Sequence, residues 1–338
     1  MNNNNLPIPT HFNRDKVDQI WQVDYQKIAS EAEEWGVEFN INPSAKDSIK
    51  TCLLIIDAQV SFCIPRSELY VGGRSGKGAV DDNTRLCEFI YKNLNKITSI
   101  IPTLDTHTPM QIFHPIFLIN NDGKHPSPAT IITEEDVKMG KWKINPSIAD
   151  NIMTETYDTL QKHLLHYTKT LENKGKYSLI TWPYHAMLGS IGHALVPSVE
   201  EAIFFHTIAR QSHAQFELKG FYPLTENYSV LSPELTIGIN DKIIANKNIN
   251  LINKLLSYDK IFIAGQAKSH CVAWTIDDLL NEINLRDKDL TKKVYLLEDC
   301  TSSVVIPNVI DFTDQANETF IRFSKTGMNL IKSSEFII

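Results

Sequence analysis

The stretch that decides the fold runs over residues 261–276 and reads Ile-Phe-Ile-Ala-Gly-Gln-Ala-Lys-Ser-His-Cys-Val-Ala-Trp-Thr-Ile. Its apolar beginning, Ile261 to Ala264, predicts a short buried strand, and apolar residues recur at helical spacing from Val272 onwards. Ser269 is a plausible helix N-cap, which would place Cys271 in the first helical turn. Unpaired N–H groups and the positive end of the helix dipole favour an anion there, so we expect the pKa of this thiol to be lowered.

A cysteine in this position has two interpretations. As a thiolate it could act as a nucleophile, while the backbone amides beside it hold the oxyanion of an acyl-transfer intermediate. The alternative is that Cys271 is a small buried hydrophobic residue, which is the usual fate of a free cysteine.

The first interpretation needs a base, and the N-terminal half of the chain offers one. A second apolar strand, Thr51 to Ile56, ends in Asp57. In a parallel α/β sheet, sites form outside the carboxyl ends of the strands, so Asp57 and Cys271 can meet there. A carboxylate beside a thiol can take its proton and later give it to a leaving amine. Taken alone, Asp57 could equally be a loop residue that caps the next helix.

Further strand ends carry residues typical of a metal site. Asp105 and His107 are two positions apart, so both side chains point to one face, and His185 offers a third ligand. Taken alone, Asp-x-His is a common pattern without function, and Lys219 would by default be a solvated lysine. His270 adjoins the cysteine and could line a pocket. The other histidines are interpreted as surface or packing residues: His114, His125, His163, His166, His193, His206 and His213.

In this order the segments resemble the nicotinamidase and isochorismatase-like cysteine hydrolases. The matching motifs are Asp-x-Gln-x-x-Phe at 57–62, Asp-x-His at 105–107, Trp-Pro-x-His at 182–185 with glycines at 189 and 192, Lys-Gly at 219–220 with Tyr-Ser at 228–229, and Gly-x-Ala-x-x-x-Cys-Val at 265–272. Three residues depart from the family pattern: Thr106 stands where tryptophan is frequent, Ala186 where cysteine is common, and Ser190 replaces threonine. The resemblance covers 51–107 and 177–305.

The resemblance implies a three-layer α/β/α fold around a mainly parallel six-stranded sheet, of the isochorismatase-like kind. The alternation of strand-like and helical patterns from Thr51 to Asp105 agrees with it. Residues 1–45 are expected to be an N-terminal extension, with an Asn-rich disordered start over Met1–Phe12 and then a helix near Arg14–Gly36.

Residues 46–338 are expected to form the hydrolase domain, with an insertion at about 108–176. Apolar residues at helical spacing predict a long helix over Pro146–Asn173. The insertion could cover the active site or build a subunit interface; alternatively it is only a layer over the sheet edge.

The implied activity is hydrolysis of a small carboxamide through a cysteine thioester, with the conversion of nicotinamide into nicotinate and ammonia as the first candidate. The alternatives are another hydrolase of this family, acting on a ureide, carbamoyl amide or isochorismate-like substrate, and a catalytically silent binding protein. The resemblance also implies a cis peptide bond at Gln266–Ala267.

The site residues that the resemblance implies fall into four groups. They are the catalytic residues Asp57, Lys219 and Cys271, the oxyanion-hole amides of Ala267 and Cys271, the pocket walls Phe62, Trp182 and Tyr228, and the metal ligands Asp105, His107 and His185. Lys219 would hold the thiolate and the carboxylate in their charged forms. The metal is a divalent ion, with zinc as the first candidate and iron or manganese as alternatives.

Composition limits the partners. A net charge of −7 argues against nucleic acid or an anionic membrane surface as the main partner. The chain has no apolar run near the ~18 residues of a membrane-spanning helix, and its Asn-rich start lacks the apolar core of a signal peptide. Five cysteines without a Cys-x-x-Cys pair suit a reducing compartment. This composition predicts a cytoplasmic protein, and the resemblance implies an enzyme of NAD metabolism that binds a small amide and could form a homo-oligomer.

Overall fold

The computed structural model describes residues 6–149, 156–335 and 338. The strands in this part of the chain are β1 (Thr51–Ile56), β2 (Ser99–Asp105), β3 (Leu118–Ile119), β4 (Ile131–Ile132), β5 (Lys143–Ile144), β6 (Leu179–Ile180), β7 (Glu217–Lys219), β8 (Lys260–Gly265), β9 (Val294–Leu297), β10 (Val305–Ile306), β11 (Ile310–Asp311) and β12 (Asn329–Ile331). The helices are α1 (Tyr25–Glu38), α2 (Val60–Cys63), α3 (Gly78–Lys92), α4 (Glu134–Lys138), α5 (Pro146–Ala149), α6 (Tyr157–Asn173), α7 (Pro197–Ala209), α8 (Ile249–Leu256), α9 (Ala273–Arg286) and α10 (Thr313–Lys325).

The centre of the molecule is a six-stranded sheet with the order β12-β9-β8-β1-β2-β7. Every neighbouring pair in it is parallel. All residues of β1 are buried, which explains why its sequence is apolar at consecutive positions rather than at alternate ones. Helix α7 packs against both α1 and α3, and α9 packs against α10. The predicted three-layer α/β/α fold is confirmed, as is the strand–helix alternation in the first part of the sheet.

The described part of the N-terminal extension differs from its prediction in two ways. Leu6 to Phe12 were expected to be disordered, but Leu6 is buried and its N–H donates to the carbonyl oxygen of Lys92 over 3.3 Å. The helix was expected near Arg14 and begins only at Tyr25, where the Asp24 carboxylate caps it. Apolar burial of the preceding segment and this cap override the helical spacing of the sequence. Residues 1–5 lie outside the described residues.

The insertion has its own secondary structure. β3 pairs with β5 and β4 with β6, both in antiparallel fashion. The long helix predicted over Pro146–Asn173 is described as two segments, α5 and α6, and residues 150–155, which include Ile152, lie outside the described residues. The predicted apolar stripe is present on α6, where Leu160, Leu164 and Tyr167 are buried. No helix in the described ranges is both long and apolar enough to cross a membrane.

Candidate active site

The register of the sheet brings the predicted catalytic strand ends together. Ile56 at the end of β1 pairs with Gly265 at the end of β8, and Asp105 at the end of β2 pairs with Lys219 at the end of β7. Gly265 has φ +115°, and a Cβ built on it would lie 2.0 Å from the carbonyl oxygen of Ile56. Only glycine therefore fits where β8 leaves the sheet, and the turn that carries Cys271 starts at this point.

Lys219 lies at the centre of a buried group of charges. Its Nζ lies 3.0 Å from Asp57 Oδ2 and 2.8 Å from Asp105 Oδ1, and it donates to the carbonyl oxygen of Asn227 over 3.0 Å. The Sγ of Cys271 lies 3.6 Å from the same nitrogen. Lys219 is only 4 % exposed, so the default interpretation as a solvated lysine is wrong. The structure thus brings the three predicted catalytic residues into contact through one cation.

The thiol differs from its prediction in the direction of its pKa. Burial raises the pKa of Cys271 well above its usual range, and the charge of Lys219 only partly opposes this rise. The expectation of a lowered pKa is therefore wrong for Cys271, while the charge of Lys219 acts in the predicted direction. Burial also raises the pKa of Asp57, against the pull of Lys219. For Asp105, burial alone would raise the pKa, but His107 and Lys219 outweigh it and hold the pKa well below its usual range.

The turn that carries the cysteine is not capped as predicted. Residues Lys268–Val272 form a π-helical turn, and the regular helix α9 starts after it. The Ser269 hydroxyl does not cap this helix: its Oγ accepts a hydrogen bond from Val304 N–H over 3.1 Å and lies 2.8 Å from His270 Nδ1. Cys271 is consequently presented from a wide turn before the helix, not from its first regular turn.

The predicted oxyanion hole lies in this turn. The N–H of Ala267 donates to no group in the part of the chain that the structure describes, whereas its carbonyl oxygen accepts from the N–H groups of His270 and Val272. Ala267 lines the same cavity as Cys271. The Gln266–Ala267 peptide bond is cis, as the resemblance implies. An unpaired N–H beside the thiol suits an oxyanion; the second donor, the N–H of Cys271, stays a prediction.

A partly open cavity lies above the thiol. All three predicted wall residues, Phe62, Trp182 and Tyr228, line it together with Cys271 and His185. The edge of Phe62 also packs against His185, with ring centroids 5.5 Å apart. The sequence-predicted aromatic residues therefore share one cavity with the thiol and with a predicted metal ligand.

Glu226 and His270 also line this cavity. The carboxylate of Glu226 accepts a hydrogen bond from Trp182 Nε1 over 2.7 Å, and the Tyr228 hydroxyl accepts from the same nitrogen over 3.0 Å. Burial raises the pKa of Glu226 well above its usual range. His270 lines the cavity as well, as the sequence suggested. The sequence assigned no role to Glu226, because nothing local marks it as buried; its position two residues before Tyr228 was the only available signal.

The predicted metal ligands lie on one side of the cavity. His107 Nε2 lies 3.1 Å from Asp105 Oδ1, and His185 Nε2 lies 3.9 Å from Asp105 Oδ2. All three side chains are buried. Gly220 has φ +93°, and a Cβ built on it would lie 2.8 Å from Asp105 Oδ1 and 3.0 Å from His107 Cδ2. The glycine after Lys219 thus leaves the space in which the carboxylate and the imidazole meet.

His114, which was interpreted from the sequence as a surface or packing residue, lies in the same group. Ring nitrogens of His107, His114 and His185 all lie within 4.8 Å of one another. Nε2 of His114 and Nδ1 of His107 are buried, and neither has a hydrogen-bond partner among the described residues. Two unpaired buried nitrogens are costly unless a ligand satisfies them. The structure therefore offers a three-imidazole set, in which Asp105 lies behind His107.

The hydrogen bonds of these rings fit a metal ion. Nδ1 of His185 lies 2.7 Å from the carbonyl oxygen of Pro183, and Nδ1 of His114 lies 3.1 Å from that of Pro109. The proton therefore belongs on Nδ1, and Nε2 keeps its lone pair. Burial lowers the pKa of His185 to about 3 and that of His114 to about 4, so both rings are neutral at neutral pH. Metal-binding histidines have this arrangement, since the second nitrogen donates to a carbonyl or carboxylate.

The insertion packs behind residues of the site. The ring of Phe113 lies against His107, with centroids 4.8 Å apart, and His114 follows it in the chain. From α6 the hydroxyl of Tyr167 accepts a hydrogen bond from the N–H of Glu226 over 3.0 Å. The alternatives for the insertion stay open: these contacts lie behind residues of the site, and among the described residues those that line the cavity come from outside the insertion.

Comparison with known proteins agrees with the fold. No protein-family model matches the sequence, and no curated protein matches it. The yeast nicotinamidase is similar in structure with a TM-score of 0.51 at 18% sequence identity, covering 83% of this chain and 99% of the yeast chain. The same yeast enzyme bound to the inhibitor nicotinaldehyde gives the same values. A nicotinamidase and pyrazinamidase of Acinetobacter baumanii has a TM-score of 0.48 at 16% identity, covering 86% and 99% of the two chains. At this identity, the likeness to the yeast enzyme establishes a shared α/β fold.

Proposed function

We propose that this protein hydrolyses a small carboxamide through a thioester of Cys271, with nicotinamide as the first candidate substrate. The observation that carries the proposal is the contact of Lys219 with both Asp57 and Cys271 at the floor of an aromatic cavity. A buried acid, a cation and a thiol in mutual reach are the groups that acyl transfer by cysteine requires.

The proton path follows from these positions. The ligand atoms of Asp57 and Cys271 lie within 4.8 Å of each other, so the carboxylate can take the thiol proton as the sulfur attacks the carbonyl carbon. The carbon–nitrogen bond then breaks, and Asp57 returns the proton to the departing ammonia. Water, deprotonated by Asp57, cleaves the thioester and releases the carboxylic acid and the free thiol. Burial raises the pKa of Asp57, against the pull of Lys219, and so favours the protonated form that this residue takes up when it accepts the thiol proton.

Lys219 stabilises the charges that appear during this cycle. When the thiol loses its proton, the negative charge moves to a sulfur 3.6 Å from the lysine nitrogen. The free N–H of Ala267 faces the same cavity and is available to the oxyanion of the tetrahedral intermediate. Each group is thus in place before the substrate arrives, in a site from which most water is excluded.

His107, His114 and His185, with Asp105 behind them, would hold a divalent metal ion at the side of the cavity. Zinc is the first candidate for this imidazole-rich set, and iron and manganese are alternatives. When bound, such an ion supplies a Lewis-acid position that suits the ring nitrogen of a pyridine carboxamide. Phe62, which packs against His185, would orient the pyridine ring so that the amide faces Cys271.

Nicotinamide is the first substrate to test for two reasons. The cavity has aromatic walls and a histidine cluster to one side, which suits a small ring with one acceptor nitrogen. The yeast enzyme that shares the fold is a nicotinamidase and binds nicotinaldehyde as an inhibitor.

The test is release of ammonia by the purified, metal-loaded protein from nicotinamide, pyrazinamide, benzamide and a ureide. Pyrazinamide keeps a ring nitrogen in the same place and should be hydrolysed. Benzamide lacks it, so kcat/KM should fall on the order of a thousandfold, since each 1.36 kcal/mol is about tenfold in rate.

Equal rates for benzamide and nicotinamide would remove the assigned role of the ring nitrogen. Brisk hydrolysis of the ureide without hydrolysis of nicotinamide would indicate another hydrolase of the same fold. No ammonia from any amide would overturn the proposed chemistry.

A further inference from the structure

A buried carboxylate outside the cavity holds the turn that carries the oxyanion donor. Asp82 on α3 is 2 % exposed, and its Oδ2 accepts a hydrogen bond from Gln266 Nε2 over 2.9 Å. Its other oxygen, Oδ1, accepts from Arg85 Nη2 over 2.9 Å. Gln266 is fully buried and directly precedes Ala267, so the Asp82 carboxylate reaches the turn through one side chain.

Ser302 completes this network from the loop after β9. Its N–H donates to Gln266 Oε1 over 3.3 Å, and its carbonyl oxygen accepts from Lys268 N–H over 2.8 Å. Its hydroxyl is a further hydrogen-bond partner of Asp82. The two residues that flank Ala267 in the chain are therefore both tied to Ser302, and one of them also to Asp82.

We propose that Asp82 is a positioning residue of the oxyanion hole, which acts by holding Gln266 so that the N–H of Ala267 points into the cavity. The direction of this N–H is set by the peptide that Gln266 and Ala267 share, and the Gln266 side chain is locked at both its nitrogen and its oxygen. Oxyanion stabilisation depends on donors that are already aimed at the place where charge develops. This inference rests on the proposed amide hydrolysis.

The chemistry of the network requires a carboxylate at this position. Gln266 Nε2, the Arg85 guanidinium and the Ser302 hydroxyl all donate to Asp82, and a carboxylate can accept from all of them. Burial raises the pKa of Asp82 to about 6, so the group is mainly ionised at pH 8. An asparagine that keeps its oxygen towards Arg85 would face Gln266 Nε2 with a second donor, and the two amides would repel each other.

Inhibition by an aldehyde can distinguish a positioning role of Asp82 from a general loss of structure in the variant. When the Cys271 thiolate adds to nicotinaldehyde, a carbon–sulfur bond forms, and the electron pair of the carbonyl bond moves to the oxygen, as in the amide reaction. That oxygen needs the Ala267 N–H. In contrast, 3-methylpyridine keeps the ring but has no carbonyl group, so its binding does not involve the oxyanion hole.

The experiment compares Asp82→Asn with the parent at pH 8 in kcat, in KM, and in inhibition constants for nicotinaldehyde and 3-methylpyridine. We expect kcat to fall about a hundredfold, as for loss of one oxyanion donor, and the nicotinaldehyde constant to rise by a similar factor. KM and the 3-methylpyridine constant should stay within threefold. The matched control is Asp81→Asn, which changes the exposed neighbouring carboxylate on α3 and should leave all four values unchanged.

A reciprocal exchange tests the route through Gln266. In the double variant Asp82→Asn, Gln266→Glu, the donor and acceptor change sides, so at least a tenfold part of the lost kcat should return. If Asp82→Asn does not fold, Ser302→Ala is measured in the same way, because it removes one donor from the same carboxylate. Its kcat should fall and its nicotinaldehyde constant should rise, both by less than in Asp82→Asn, while KM and the 3-methylpyridine constant stay unchanged.

Values for Asp82→Asn within threefold of the parent, or equal losses for the aldehyde and 3-methylpyridine, would overturn the positioning role. If the parent releases no ammonia from any amide, the proposed function fails instead. In that case the aldehyde measurement, which requires addition of Cys271 but no turnover of an amide, still decides the role of Asp82.

Discussion

The two halves of the candidate site are held in different ways. Asp57, Lys219 and Cys271 follow strands of the central sheet, and the parallel register aligns them. Of the three histidines, His107 follows β2 of the central sheet, whereas His114 lies in the insertion and His185 follows β6, which pairs with β4 outside that sheet. The difference indicates that the nucleophile half depends on backbone pairing, while the metal half depends on how loops and the insertion pack.

The two halves also differ in their electrostatics. The nucleophile half is a buried group of charges around Lys219. In the metal half, burial lowers the pKa of His114 and of His185, and one nitrogen of each of these rings lies against a carbonyl oxygen, while His107 lies against Asp105. Substitutions in the first half should therefore stop the chemistry and leave metal binding intact. Substitutions in the second half should reduce metal affinity first.

The largest effect is expected for Cys271→Ala. No other group at the floor of the cavity can form the thioester, so kcat should fall roughly 10⁴-fold or more, as for other lost nucleophiles. Metal content should not change. Cys300→Ala, which alters a buried cysteine that does not line the cavity, is the control and should keep the parent rate. Steady-state ammonia release measures both, and Cys271→Ala activity within tenfold of the parent would rule out the cysteine mechanism.

The next effect is expected for Asp57→Asn. This change removes the proton carrier but almost no volume, and general acid–base catalysis is worth about 10²–10⁴-fold. kcat should fall within that range, with KM nearly unchanged. Thermal unfolding checks that the variant is folded. If the variant forms product at near-parent rates, another residue must act as the base. Asp57 would then have no catalytic role in the nucleophile half.

The metal half is tested with His107→Ala and His185→Ala. Each removes a buried imidazole of the cluster, so the loss of metal affinity should exceed the roughly 10–100-fold typical of residues that only support a ligand. His125→Ala, an exposed histidine of the insertion, is the control and should retain the metal. Elemental analysis after dialysis gives the result; full metal content in both cluster variants would show that the ion binds elsewhere.

The smallest effect in this series concerns His114→Ala and decides how far the insertion belongs to the site. If His114 is the third imidazole of the cluster, metal affinity should fall by at least about 10–100-fold, while kcat at saturating metal stays within a few-fold of the parent. Competition with a chelator measures the affinity. An unchanged affinity would return His114 to the packing role that the sequence suggested, and the ligand set would then be Asp105, His107 and His185.

Local patterns were sufficient for much of the fold. The apolar runs that end in Asp57, Asp105 and Gly265 predicted the strands, because strands buried on both faces need consecutive apolar residues. Helix boundaries were less predictable: the spacing around Arg14 is helical, yet the helix starts after Asp24, where a side-chain cap and the burial of the preceding segment decide.

Residues that act through distant contacts left no signal in the sequence. His114 reaches the cluster because the insertion folds back onto His107, and Asp82 reaches Gln266 across 184 positions of the chain. Glu226 is likewise recognised only once Trp182 lies against it. In each case the informative property is a neighbour that the chain brings near only on folding.

The sequence alone predicted the order of the polar groups at the strand ends: the acid Asp57, the candidate metal ligands Asp105 and His107, the cation Lys219 and the thiol Cys271. Their pKa values, in contrast, depend on the folded surroundings. The local helix start predicted a lowered pKa for Cys271, but the pKa is raised, because burial removes the water that would solvate a thiolate. Desolvation depends on everything that packs around a group, and no local pattern contains that information.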